Sequence, residues 1–132
     1  LVYTKQLKEG NEMNQKLEII EHYFKLSDLA SSDRQALITI TNLFSNNAVV
    51  EGANGVIADN PTKIISLFEH FFKDNQELRH LCRINPNSNE YKTEWVVAGR
   101  KNDGKLFALH GFDKYQFNKQ NKINFLKVEI SK

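Results

Sequence analysis

The apolar residues change their spacing part-way along the chain, and that change limits the folds open to it. Up to Lys73 they recur every three or four positions: Leu17, Ile20, Tyr23 and Phe24, then Ala36, Leu37, Ile40, Leu43 and Phe44, then Ile64, Leu67, Phe68, Phe71 and Phe72. This is the spacing of helices that bury one face. After Asn75 the period is two. Leu78, His80, Cys82 and Ile84 fall on one face and Arg79, Leu81 and Arg83 on the other, the pattern of a half-buried strand.

Local signals place the boundaries. The first helix is expected from Met13 to about Leu29, with Leu1 to Glu12 an N-terminal extension to which no role is assigned. Ser32 followed by Gln35 has the spacing of a capping box, and the second helix is expected to end at Ser45-Asn46-Asn47. Short strands follow at Ala48 to Glu51 and Val56 to Ala58, and Asn60-Pro61 reads as the cap and first residue of a third helix. Strands are then expected over Tyr91 to Arg100, Lys105 to Phe117 and Ile123 to Ile130, separated by a loop at Asn85 to Asn89 and turns at Asn102-Asp103-Gly104 and Asn118 to Asn121. The order implies an α+β domain over residues 13–132, with three helices on one side of a curved, mostly antiparallel sheet: a cone with a cavity.

A chain of 132 residues fits one such domain. Its 18 basic and 16 acidic residues are spread evenly, so no field for a phosphate backbone is implied and no nucleic-acid partner is expected. Cys82 is the single cysteine and reads as a small buried apolar side chain. It forms no internal disulfide, and no Cys/His cluster has zinc spacing, so neither a metal nor another cofactor is expected. No apolar run spans a bilayer and no signal peptide is recognised, so the expected location is cytoplasmic, away from membranes.

Several stretches resemble the nuclear-transport-factor-2-like superfamily, and within it the SnoaL-like branch. They are Leu43 to Val50, Glu94-Trp95-Val96-Val97, Asp103-Gly104-Lys105-Leu106, Gly111-Phe112-Asp113-Lys114-Tyr115-Gln116-Phe117 and Lys122-Ile123. The resemblance implies the same cystatin-like cone. In the ketosteroid isomerases of this superfamily a carboxylate abstracts a proton, while a tyrosine and a protonated aspartic acid stabilise the oxyanion. By that resemblance Tyr23 stands for the tyrosine and Asp113 for the acid. The base position falls on Gly52, which carries no proton, and Glu51 points to the opposite face of a regular strand. The resemblance therefore argues against that reaction.

Asp113 shares a strand face with Phe107, Leu109, Gly111, Tyr115 and Phe117, so its carboxyl is expected to hold its proton unless a cation or several donors meet it. The competing reading is a structural carboxylate. The candidate catalytic residues are Asp113 and Tyr23, and the candidate ligand-binding residues are Phe44, Phe68, His80, Trp95 and Leu109. A two-residue turn at Asp103-Gly104 sets Glu94 opposite Asp113; one more loop residue puts Thr93 and Trp95 on the Asp113 face instead. Sequence leaves both registers open.

Three functions fit these residues. The first is binding of a small apolar or cyclic metabolite in the cone, with catalysis unproven. The second is an isomerase, cyclase or dehydratase using Asp113 as acid or hydrogen-bond donor. The third is a non-catalytic interaction module whose cone is filled by its own side chains. Ala108, His110 and Phe112 alternate on the other sheet face, and a homodimer through that face is expected.

Overall fold

The computed structural model describes residues 2–85 and 90–132, with side chains from residue 15 onward. The loop expected at Asn85 to Asn89 lies, apart from Asn85, outside the described residues. Helix α1 spans Val2–Leu29, so the expected extension is continuous with the first helix. Helix α2 (Arg34–Thr41) and helix α3 (Pro61–Lys73) complete the helical layer. The strands are β1 (Phe44–Glu51), β2 (Ile57–Ala58), β3 (Asn75–Ile84), β4 (Thr93–Lys101), β5 (Leu106–Phe117) and β6 (Ile123–Ile130).

They form one six-stranded sheet in the order β2-β1-β6-β5-β4-β3. Every neighbouring pair is antiparallel except β1 with β6, which run parallel. The three helices lie on one face, and the core between the layers holds Ile20, Tyr23, Phe24, Ile40, Phe68 and Tyr115.

Two expected boundaries shift for physical reasons. Asp33, not Ser32, caps α2: it has the extended backbone of an N-cap, and its carboxylate accepts from the Gln35 N–H at 2.9 Å. Ser32 instead turns its hydroxyl back to the Leu29 carbonyl. The same helix ends at Thr41, short of the expected stripe. Leu43 leaves it because its carbonyl accepts from Ile123 N–H at 2.8 Å, and Phe44 already pairs with Ile123 in β6. By contrast α3 starts as expected, with the Asn60 side chain accepting from Lys63 N–H and Pro61 in the first turn.

The β4–β5 hairpin takes the longer of the two loops. Lys101 and Lys105 close it at 2.8 Å, leaving Asn102-Asp103-Gly104 between them, with Gly104 at φ +88°. Thr93 therefore sits opposite Asp113, and Trp95 opposite Gly111.

Candidate functional site: a buried acid beneath the helices

That register turns Trp95 and Asp113 toward the helices. The indole fits there because residue 111 has no side chain: a Cβ on Gly111 would overlap both the Trp95 ring and the Glu129 carbonyl. Trp95 Nε1 donates to Asp113 Oδ1 at 2.9 Å, and the Tyr115 hydroxyl donates to Asp113 Oδ2 at 2.8 Å. Asp113 is 2% exposed, and no cation pairs with it among the described residues.

Burial penalises the carboxylate and outweighs the lowering effect of the Tyr115 and Trp95 hydrogen bonds, so the Asp113 pKa is raised to about 7. Near neutral pH the group exchanges between a carboxylate that accepts both donors and an acid that can itself donate. The Tyr23 hydroxyl is held well above its usual pKa, first by burial and then by the Asp113 charge. Its ring lies edge-on to Tyr115 at 5.8 Å, and no hydrogen bond joins it to Asp113 among the described residues. Tyr115 was the partner that sequence reasoning missed, although its place two residues along the same strand face put it within reach.

The other candidates separate into groups. Phe44 and Phe68 are buried and pack on Tyr23, with ring centroids 6.4 and 6.0 Å away, and on each other at 5.6 Å. Leu109 shares the parity of Asp113 but is 38% exposed, because β6 ends opposite Gly111 and leaves this part of β5 without a neighbour on that side; it does not line the interior. His80 sits beside the core against Phe24, its centroid 5.5 Å from that ring. Its Nδ1 lies 2.7 Å from Asp28 Oδ1, and the same oxygen accepts from the His80 backbone N–H at 2.8 Å. Burial lowers the His80 pKa against the raising effect of Asp28. Cys82, expected in the core, is exposed, because β3 is an edge strand and its far half lies beyond the helical cover.

No carboxylate stands at the base position. Gly52 opens a tight turn, its N–H donating to Val56 carbonyl at 2.8 Å. Val50 is buried, so Glu51, the next residue along β1, turns away from the core and pairs across to Lys127 of β6. On the outer sheet face, His110 Nε2 contacts Glu94 Oε2 at 2.7 Å, and Glu94 also accepts from Arg83 at 2.7 Å. Among the described residues no group of three or more His, Cys, Asp or Glu side chains could hold a metal ion. No helix among them is long and apolar enough to cross a membrane.

Among the described residues, surface depressions of about 390, 440 and 650 Å³ are lined by neither Asp113 nor Tyr23. The acid is enclosed by rings.

The fold has clear structural counterparts. A protein of unknown function from Exiguobacterium sp. 255-15, described as NTF2-like, superposes with a TM-score of 0.77 over 86% of this chain and 98% of its own, at 24% identity. The fold is NTF2-like. The same NTF2-like frame is seen in a putative polyketide cyclase from Xanthomonas campestris pv. campestris, with a TM-score of 0.74, 11% identity, and 91% and 93% of the two chains covered. It is seen again in SalBIII, an epoxide hydrolase/cyclase-like enzyme of pyran ring formation in salinomycin, with a TM-score of 0.73, 12% identity, and 89% and 92% covered. No protein-family model matches the chain, and no curated protein matches it by sequence. At these identities the NTF2-like likeness establishes the fold and leaves the chemistry to the residues themselves.

Proposed function

We propose that the chain binds a small cyclic or aromatic metabolite in the interior of the cone, held by a hydrogen bond from Asp113. The observation that carries this reading is the buried carboxyl group of Asp113, fixed by Trp95 and Tyr115, with no cation paired to it among the described residues, and with a pKa of about 7. A carboxyl kept partly protonated at neutral pH can donate to a carbonyl or enolate oxygen, which a carboxylate cannot. Two structural neighbours whose names include a cyclase make ring-forming chemistry the natural enzyme variant, with Asp113 as acid and Tyr23 assisting. The glycine at the base position argues for binding over proton abstraction. Native mass spectrometry of protein purified from its source cell tests the reading: a retained small molecule supports it, and a bare chain mass that persists with cyclic ketone or aromatic probes defeats it.

One observation favours a second reading. The rings of Tyr23, Phe44, Phe68 and Tyr115 already fill the space beneath the helices, so a ligand must displace some of them. A cone closed by its own side chains suits an interaction module that works through its outer sheet face. Hydrogen exchange separates the two, since ligand entry requires α1 and α3 to open more often than the sheet does.

A further inference from the structure

One of these depressions lies away from Asp113, where the start of β1, the first turn of α3 and the β5–β6 turn meet. Its volume of about 650 Å³ is in the range that takes a drug-sized molecule. The lining is unusual in its chemistry. Asn42, Asn46, Asn47, Asn118 and Gln120 contribute carboxamides, Lys122 contributes the one cation, and no Asp or Glu lines it among the described residues.

The backbone is arranged around these amides. Between Phe44 and Val49 the register of β1 against β6 slips, with five steps on β1 matched to two on β6, from Ile123 to Phe125. The extra residues bulge outward and leave Asn46 and Asn47 exposed, the way bulges re-aim side chains beside sites. The bulge is anchored from below: the buried Ser45 hydroxyl lies 2.9 Å from the Asn47 carboxamide and 3.1 Å from that of Asn124. Both partners are carboxamide oxygens, Asn47 Oδ1 and Asn124 Oδ1, so the single hydroxyl proton is shared between two acceptors. Opposite, Asn118 Oδ1 accepts from the backbone N–H of Gln120 and Lys122. Lys122 Nζ meets only the Asn42 carbonyl, at 2.7 Å, and no carboxylate pairs with it among the described residues.

We propose that this cleft binds a short carbohydrate. The exposed carboxamides of Asn46 and Gln120 each offer a donor and an acceptor side by side, which matches adjacent ring hydroxyls that also do both. Pro61 and Ile65, the latter 40% exposed, provide an aliphatic wall for the C–H face of a sugar ring. The absence of lining carboxylates and the presence of several neutral dipoles favour a neutral ligand over a cation or a highly charged anion. The site is separate from Asp113, so it stands or falls independently of the interior.

The test is an amide NMR titration of the full chain with maltotriose, cellotriose and chitotriose at millimolar concentration. Saturable shifts of the side-chain NH2 signals of Asn46, Asn47 and Gln120 are expected with at least one of them. The doubly substituted variant Asn46→Ala, Gln120→Ala should weaken that Kd by about tenfold or more. Both positions are exposed, so the variant keeps its fold, which its backbone spectrum verifies. Silence with all three sugars, shifts confined to other surfaces, or an unchanged Kd in the variant would each overturn the proposal.

Discussion

Trp95 Nε1 donates to Asp113 Oδ1 at 2.9 Å from the neighbouring strand, a contact that only the three-residue β4–β5 loop permits. With one residue fewer in that loop, Glu94 would face the acid and the indole would point to solvent.

Stability should report the buried acid directly. The folded Asp113 pKa is raised to about 7, whereas an unfolded aspartate titrates near ~3.9, so the native state binds the extra proton between those values. The contribution of Asp113 is therefore fully present below ~4 and lost as pH rises through about 7. The stability of the wild type minus that of Asp113→Asn, from urea melts, should fall with rising pH across this window and level off above it. A flat difference would mean that Asp113 is not desolvated.

Replacing Asp113 by Leu separates scaffold from ligand chemistry. The substitution strands two buried donors, Trp95 Nε1 and the Tyr115 hydroxyl, at a cost of about 1–3 kcal/mol each. A clear drop in melting temperature is expected, smaller for Asp113→Asn, and calorimetry checks it.

Gly111→Ala probes the same spot by volume. Its methyl would enter the Trp95 ring and the Glu129 carbonyl, so overpacking should cost about 1–3 kcal/mol and disturb the indole hydrogen bond. A shifted Trp95 side-chain N–H resonance, alongside the lower stability, is the expected signature. An unchanged resonance would place the indole elsewhere.

On the outer face Leu81, Val96 and His110 align in one row across β3, β4 and β5, with Leu81 75% and Val96 41% exposed. We expect this row to seat a second copy of the chain. Sedimentation velocity at micromolar concentration should show a dimer that Val96→Glu converts to monomer; a wild type that sediments only at 15.3 kDa contradicts this.

The chain's local signals carried most of the architecture. Asn60-Pro61 marked α3 and the Asn118 to Asn121 turn fixed the start of β6 because both act through neighbours in sequence. Phe44 misled because its partner, Ile123, is remote, and a helical stripe cannot reveal a parallel pairing that ends it early. The acid itself was legible from its aromatic strand face, but its donors depended on a hairpin register that one loop residue decides. Leu109 and Cys82 failed for another reason: strand parity tells which face a residue takes, not whether a strand lies beside it on both sides.

The clasp of Asp28 on His80 bears on how copies of this protein meet in a crowded solution. β3 is an outermost strand, and its outward N–H groups are what another strand would seize to extend the sheet. At His80 that group is already occupied by Asp28, which also holds the ring. A carboxylate thus plugs the middle of the exposed edge and gives it a charge that an incoming strand would have to desolvate. Asp28→Ala would unplug it, and we expect the variant to gain thioflavin-positive fibres on gentle agitation under conditions that leave the wild type clear. The end of α1 thus covers the sheet edge at which a filament would grow.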